Sequence, residues 1–455
     1  MEVGFDTIGN ATIIAYDRGP VLATDPWVVG YAYFGSWRMS HKIPPEQMAA
    51  IKDCRYVWFS HGHPDHLNPD SLHLFKGQKI LLPDHVGRRI HDDLKGEGYS
   101  VEILPNKEWI KLSDRVRVMC ISDYYQDAII LIDINGRLLV NTNDAIDRGW
   151  GRFARKIVKQ YPVSFLLALF GHGDADLINF YNEDGSFIPP KAARKLPVGV
   201  SIAHATESWG VKYCVPFSSM HRYQRKDSIW ANEYVTQLAD YAVGFQSKTS
   251  ELLPAYIRFD CQTDALTEIN PPEEDDVVYD PEHFGDNWSD LLTTEEFNDV
   301  TNYFKKIQHL ETFLDFINFR VGGKDNVIPI AKRKFHRGLT FECPRNSLVT
   351  ATKYRIFDDL LIGNFIRATL HGKWPKSALY PDFIPYVARY SDNAFANTKE
   401  ELEQYFEEYR KRDPMEFLLH KFEQRAIDMF RSHVVGGSAT FQAAKRLYWY
   451  IKKVA

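Results

Sequence analysis

The sequence predicts an α/β protein with a first domain at residues 1–270 and a C-terminal α+β, largely helical extension at residues 271–455. The first half alternates short apolar runs with turn signals such as Asp17-Arg18-Gly19-Pro20 and Asn135-Gly136, which is the pattern of strands joined by tight turns. The acidic, proline-led stretch 271–280 indicates an exposed linker or the end of the first domain. After it, longer apolar patterns of helical period dominate.

The elements follow from this pattern in chain order. Strands are predicted at residues 11–16, 21–24, 55–60, 79–82, 116–121, 128–134 and 137–141. Helices are predicted at residues 294–319, 398–411, 414–432 and 439–452. Residues 339–370 have a pattern that mixes helix and strand signals. Two interpretations of the pair Asp358-Asp359 within them stay open, as part of a pocket wall for a polar ligand or as a strand edge.

Composition limits the function classes. Hydrophobic residues make up 44% of the chain and charged residues 25%, as in an ordinary globular protein. The net charge of −5 gives a nucleic-acid partner no general electrostatic support. We expect no membrane span and no secretory signal, because no apolar stretch is long enough and the N-terminus lacks a basic region. The five scattered cysteines, without a Cys-x-x-Cys pair, favour reduced thiols and a cytoplasmic location.

The densest chemical signal is Ser60-His61-Gly62-His63-Pro64-Asp65-His66-Leu67, which follows the apolar strand predicted at residues 55–60. His61, His63, Asp65 and His66 place imidazoles and a carboxylate on one strand-end turn, where neighbouring side chains can converge on one point. Imidazole suits zinc, iron or manganese, and the carboxylate adds charge. A histidine-rich surface turn is the alternative, and the density of ligand types disfavours it.

The spacing His-x-His-x-Asp-His resembles the signature of the metallo-β-lactamase superfamily. The opening run 8–14 and Thr24-Asp25-Pro26-Trp27 resemble its lactonase-like branch. The resemblance implies an αββα sandwich, in which two sheets lie between helices and two metal ions lie at one edge. It also implies that His61 and His63 bind one metal, whereas Asp65 and His66 bind the other.

The remaining ligands implied by the resemblance are more dispersed. Asp144, at the end of the strand Val140-Asn141-Thr142-Asn143, fits the bridging aspartate, although a strand-end aspartate can also cap a helix. Asp123 stands where the family usually has a third histidine. His221 fits the last histidine, and His172 and His204 compete with it for that role.

A carboxylate at Asp123 changes the expected metal. Together with Asp65 and Asp144 it would supply three negative charges, and oxygen-rich ligation favours iron over zinc. This departure resembles the di-iron oxygenase of chloramphenicol biosynthesis. Iron is therefore the favoured metal, with zinc and manganese still open.

Over about residues 5 to 390 the chain resembles the CMP-N-acetylneuraminate hydroxylase group. The likeness is carried by the metal motif, by Asn141-Thr142-Asn143-Asp144, by Val215-Pro216-Phe217 and by the run at residues 357–364. The group's Rieske module has no counterpart, because no Cys-x-His and Cys-x-x-His pair occurs in the sequence. An oxygenase of this kind would take its electrons from a separate electron-transfer protein or from its substrate.

The favoured function is that of a di-iron, O2-dependent monooxygenase acting on a polar small molecule such as a sugar or amino-acid derivative. The alternative is a metal-dependent hydrolase of a lactone, ester or phosphodiester. In both, Asp65 and Asp144 are the predicted catalytic carboxylates. A metal-binding scaffold that has lost activity is a third hypothesis, and the intact motif disfavours it.

Overall fold

A computed structural model describes residues 1–145, 151–391 and 393–433. Its strands in chain order are β1 Val3–Ile8, β2 Thr12–Asp17, β3 Pro20–Thr24, β4 Trp37–Met39, β5 Tyr56–Trp58, β6 Lys79–Pro83, β7 Ser100–Leu104, β8 Ile110–Lys111, β9 Val116–Ser122, β10 Ala128–Ile134, β11 Arg137–Asn143, β12 Ser164–Ala168, β13 Phe180–Asn182, β14 Phe187–Ile188, β15 Tyr213–Pro216, β16 His221–Tyr223, β17 Glu251–Leu252, β18 Ile257–Asp260, β19 Leu266–Glu268, β20 Phe316–Val321, β21 Lys324–Pro329, β22 Arg337–Glu342 and β23 Arg367–Gly372.

The α-helices are α1 Pro45–Asp53, α2 Pro69–Leu72, α3 Arg89–Gly96, α4 Gly151–Val158, α5 Val198–Trp209, α6 Thr294–Lys306, α7 Arg345–Tyr354, α8 Phe357–Ile362, α9 Ile384–Tyr390, α10 Lys399–Arg412 and α11 Pro414–His433. No helix in the described ranges is long and apolar enough to cross a bilayer. The helix predicted at residues 439–452 lies outside the described residues.

Two large sheets enclose the main core. The first has the order β19-β18-β1-β2-β3-β5-β6-β7 and the second β17-β15-β12-β11-β10-β9-β8. Alternation along the strands divides their side chains between two faces. Ile13 and Ile130 enter the core between the sheets, whereas their neighbours Ile14 and Ile129 enter cores on the outer faces. The two sheets therefore stack face to face.

Helices cover both outer faces. Ile51 of α1 and Leu94 of α3 pack on the outer face of the first sheet. Ile157 of α4 and Trp209 of α5 pack on the outer face of the second sheet. The predicted αββα sandwich is thus confirmed.

A third sheet, with the order β14-β13-β23-β22-β20-β21, forms a separate core with the C-terminal helices. Its strands β13 and β14 precede residue 270, and β13 pairs in parallel with β23. The first half therefore contributes two strands to the sheet of the second. The boundary between residues 270 and 271 stays a prediction.

The helix predicted over residues 294–319 is wrong in its last part, because α6 ends at Lys306 and β20 occupies Phe316–Val321. Ile317, Phe319 and Val321 alternate into the core with no exposed surface, which is a period of two rather than 3.6. The strand-edge interpretation of Asp358 and Asp359 is also wrong, because both lie in the first turn of α8.

The parallel strands direct their carboxyl ends toward one edge of the sandwich. In the first sheet β3, β5 and β6 run parallel, and in the second β11, β12 and β15 do. Loops after such strands are the usual position of a binding site in α/β folds. The loop of residues 61–66 follows β5, and Asp144 follows β11.

Candidate metal centre

Asp25 holds the histidine loop, residues 61–66 after β5, in position. The carboxylate of Asp25 accepts the backbone N–H of Ser60 at 2.7 Å and lies 3.1 Å from Nδ1 of His66. The loop then closes on itself, because the N–H of His66 donates to the carbonyl of His63 at 3.0 Å. This compact turn brings the ring nitrogens of the loop together.

Two groups of ligand atoms share Asp144. One ligand atom each of His61, His63 and Asp144 lie within 4.8 Å of one another. On the other side, Nε2 of His66 lies 3.4 Å from Oδ2 of Asp65 and 3.5 Å from Oδ1 of Asp144. Asp144 therefore lies between the two groups of side chains, and its role as a bridge between two cations stays a prediction.

Asp65 is positioned by two polar side chains that sequence reasoning did not identify as part of the site. Asn10 donates to its Oδ2 at 3.0 Å, and the hydroxyl of Tyr33 donates to its Oδ1 at 2.6 Å. Asn10 lies in the turn between β1 and β2, and Tyr33 lies in the segment between β3 and β4. No local sequence pattern predicts these two contacts, because Asn10 and Tyr33 are distant from Asp65 in sequence and approach it only in the folded protein.

The electrostatics of the pocket favour bound cations. Burial acts to lower the pKa of His66, but the carboxylates of Asp65, Asp144 and Asp25 together raise it well above its ordinary value. Burial raises the pKa of Asp65, with Asp144 adding to the effect. A buried pocket that draws protons so strongly carries excess negative charge, and divalent cations would neutralise it. The residues present therefore fit a metal centre.

Asp123 lies at the end of β9 on the same edge of the second sheet, but it is not among the three residues of the compact group. It is 1% exposed, and its Oδ1 accepts backbone N–H groups from Tyr125 at 2.8 Å and Asp127 at 3.2 Å. These bonds are those of a turn cap. The role of Asp123 as a ligand stays a prediction.

His221 begins β16, buried against the aromatic ring of Trp37 at a centroid distance of 3.5 Å. Its Nδ1 lies 3.2 Å from Oδ1 of Asp174, and burial lowers its pKa to about 3. A histidine that stays neutral at pH 7 is suited to ligate a metal. The negative charge of Asp144 acts in the opposite direction to burial and raises the pKa of His221, so the two side chains are close enough to interact electrostatically. Ligation by His221 stays a prediction.

The competing histidines are placed differently. His172 is 39% exposed at its side chain, and its Nδ1 lies 3.5 Å from Oδ2 of Asp176. His204 lies in α5, whose apolar residues pack on the second sheet. Among the described residues, neither belongs to the compact group of His61, His63 and Asp144.

No protein-family model matches the chain. The chain is similar to the cytidine monophosphate-N-acetylneuraminic acid hydroxylase of Asterias rubens, with 28% identity over 141 residues, or 29% of this chain and 22% of the relative. The enzyme of the same name from Pongo pygmaeus is 26% identical over 145 residues, or 30% of this chain and 25% of the relative. The alignments thus span about a quarter of the relatives' length, and over that part the predicted resemblance is confirmed.

The chain is similar to several solved structures at low superposition scores, among them the metallo-β-lactamase-fold protein YhfI. They include Igni18, a metallo hydrolase from Ignicoccus hospitalis, with a TM-score of 0.34 and 13% identity over 59% of this chain and 99% of that one. CmlA, a diiron β-hydroxylase from Streptomyces venezuelae, has a TM-score of 0.38 and 12% sequence identity, over 59% of this chain and 54% of that one. YhfI from Bacillus subtilis has a TM-score of 0.32 and 9% sequence identity, over 55% of this chain and 90% of that one. The αββα architecture itself rests on the chain's own stacked sheets.

Proposed function

We propose that this protein is a dinuclear metalloenzyme that hydroxylates a polar small molecule with O2, and that its metal is iron. The observation that carries the proposal is the position of Asp144, which joins His61 and His63 on one side to Asp65 and His66 on the other. A carboxylate shared between two sets of ligands can bridge two metal ions and offset the repulsion between them. The hydroxylases that the chain resembles support the reaction type.

Bound metals would supply the activation of O2, and the chain's residues would supply their positions. His61 and His63 would hold one ion, Asp65 and His66 the other, and Asp144 both. Asn10 and Tyr33 keep the carboxylate of Asp65 fixed, because each donates to a different oxygen. Ligands held this way cannot rotate away from the metal, which keeps the site ordered during turnover.

A hydrolase is the second candidate, and one observation favours it. Asp123, whose charge is the main reason to expect iron, accepts two backbone N–H groups and does not join the compact group of His61, His63 and Asp144. Without a third carboxylate the ligand set would suit zinc as well as iron. A zinc centre would polarise a carbonyl or phosphoryl group and activate water, with Asp65 and Asp144 orienting the nucleophile.

The two candidates separate on metal identity. We would purify the protein without added metal, measure iron, zinc and manganese per chain, and record the visible absorption spectrum. About two irons per chain with a visible band would support the oxygenase. Colourless protein containing about two zinc ions would support the hydrolase. A chain that binds neither metal, even after removal of adventitious ions and reloading, would contradict both.

An oxygenase of this kind also needs a source of electrons. The sequence contains no Rieske ligand pair, so we propose that a separate electron-transfer protein or the substrate supplies them. The location of the protein, proposed to be the cytoplasm, would suit such a partner. Oxygen consumption with a chemical reductant, compared with and without candidate polar substrates, would test whether the reduced centre reacts with O2.

A further inference from the structure

The imidazoles near the proposed metals each have one ring nitrogen directed at another protein group. Nδ1 of His61 lies 2.8 Å from the hydroxyl of Ser60, and Nδ1 of His66 lies 3.1 Å from Asp25. For His221 the hydrogen-bond partner is the carbonyl of Gly173, 3.3 Å from Nε2, whereas Nδ1 lies 3.2 Å from Oδ1 of Asp174. A metal-ligating histidine usually donates its second ring N–H to such a group, which fixes its tautomer and orientation.

His63 is oriented the other way round. Its Nδ1 lies 2.9 Å from Nε2 of His61, so Nδ1 faces the compact group. Its Nε2 lies 3.9 Å from Oδ2 of Asp358. A neutral imidazole carries one proton, so ligation through Nδ1 would leave that proton on Nε2, which is the nitrogen near Asp358.

Asp358 comes from the C-terminal part of the chain, far from the histidine loop in sequence. It lies in the first turn of α8, and the neighbouring Phe357 and Leu361 anchor that helix in the C-terminal core. The Asp358 side chain is 9% exposed, and its Oδ1 has no hydrogen-bond partner among the residues that the structure describes. Burying a carboxylate without partners is costly, so its position requires a polar or cationic group opposite it.

We propose that Asp358 is a positioning residue of the metal centre: it accepts the Nε2 proton of His63 and so orients the Nδ1 lone pair toward the metal held by His61 and His63. This inference rests on the proposed dinuclear site. The separation of 3.9 Å is longer than a hydrogen bond, so the proposed contact requires the two side chains to move closer when the metal binds. The C-terminal part of the chain would then complete the metal centre.

The adjacent Asp359 provides a matched control. Both residues lie in the first turn of α8, and each is 6% exposed when backbone and side chain are counted together. The negative charge of Asp359, however, helps to raise the pKa of Tyr33. Asp359→Asn therefore removes one negative charge from the same region while leaving the carboxylate near His63. A difference between the Asp358 and Asp359 variants would report the specific contact and not the general loss of charge.

The test uses Co2+ alone as the probe. Metal-free full-length wild type, Asp358→Ala, Asp358→Asn and Asp359→Asn would be titrated with Co2+ in competition with a chelator, and the visible spectrum of each cobalt form recorded. We expect Asp358→Ala to weaken one of the two Co2+ sites by about 10- to 100-fold and to change its visible band. The Co2+ affinities of Asp359→Asn should stay within about threefold of wild type. A change of that size is smaller than the loss expected when a group that orients a metal ligand is removed.

The outcomes separate this inference from the proposed function. Wild type that binds no Co2+ would contradict the dinuclear site itself, and this inference with it. Wild type that binds two Co2+ ions, with both Asp358 variants keeping its affinities and spectrum, would overturn the role of Asp358 alone. Equal weakening in Asp358→Ala, which removes the acceptor, and in Asp359→Asn would also overturn it, because general charge would then explain the effect. Circular dichroism of the metal-free proteins identifies folded variants, and if Asp358→Ala does not fold, Asp358→Leu, which also lacks an acceptor, is titrated in its place and decides.

Discussion

Oδ1 of Asp144 lies 3.5 Å from Nε2 of His66, and the same residue belongs to the compact group with His61 and His63. Asp144 follows β11 of the second sheet, whereas the histidine loop follows β5 of the first. The proposed site is therefore formed where the two sheets meet, and it depends on their stacking.

Asp144→Asn tests the bridge. The substitution keeps the shape of the side chain but removes the charge that would hold two cations close together. We expect about one metal ion per chain or fewer, measured by elemental analysis after loading and desalting. Asp176→Asn is the control, because Asp176 lies near His172 and outside the compact group. Two metals per chain in Asp144→Asn would show that another residue bridges.

His63→Ala and Asp65→Ala test one ligand on each side of Asp144. Each should lower metal content and abolish turnover, because each ligand contributes to the binding free energy. The exposed His73, in the turn that follows α2, provides the control variant His73→Ala. Circular dichroism should show folded protein in all three. Either site variant would refute its assignment by keeping wild-type metal content and activity.

The fold could be predicted from the sequence to a large extent because its strands have strong local signals. The hairpin of β2 and β3 and the pair β10 and β11 occur where alternating apolar residues and turn residues place them. The error over residues 294–319 arose from extending a helical pattern past its end, because Phe316–Val321 alternates with a period of two and joins β21 through Gly322-Gly323, which is a local hairpin signal.

The candidate site could be predicted only where its residues are close in sequence. The loop of His61, His63 and His66 is evident from spacing, and the resemblance supplied Asp144. Tyr33 contacts Asp65, and Asp358 approaches His63, through tertiary structure that no spacing rule encodes. The mixed pattern of residues 339–370 does not indicate the helix that holds Asp358 or its proximity to the histidine loop, which the structure shows.

His85 gives a prediction about acid stability. Its Nε2 lies 3.3 Å from the carbonyl of Ser60, and burial lowers its pKa to about 4. A histidine kept neutral by folding stabilises the protein fully above the unfolded pKa, near 6.5, and that contribution is lost as the pH falls toward 4. Between about pH 7.5 and about pH 5, His85 should account for a loss of about 2 kcal/mol.

Urea unfolding of the metal-free protein at the two pH values measures this loss. His85→Gln keeps a polar side chain but does not titrate, so its free energy of unfolding should fall less with acid than that of wild type. The exposed His73→Gln should follow wild type. An identical pH dependence in wild type and His85→Gln would mean that His85 does not contribute to acid destabilisation.

The last prediction concerns Asp123, whose role decides how strongly the ligand set favours iron. Its Oδ1 accepts the N–H groups of Tyr125 and Asp127, so it stabilises the turn after β9 whether or not it binds metal. Asp123→Asn keeps an oxygen acceptor for that turn and removes the charge. Asp123→His removes the acceptor but supplies an imidazole, which would restore the ligand type that the resemblance implies at this position.

The two variants separate capping from ligation. If Asp123 binds metal, Asp123→Asn should lose metal, whereas Asp123→His should retain two ions and shift from iron toward zinc, because one negative charge is lost. An oxygenase should then lose O2-dependent turnover, whereas a hydrolase should keep substantial activity. If Asp123 only caps the turn, Asp123→Asn should match wild type, and Asp123→His should lower thermal stability without altering the iron-to-zinc ratio. Wild type and both variants, grown in the same medium and analysed together, distinguish these results, and an unchanged ratio in Asp123→His would remove the main sequence argument for oxygen chemistry.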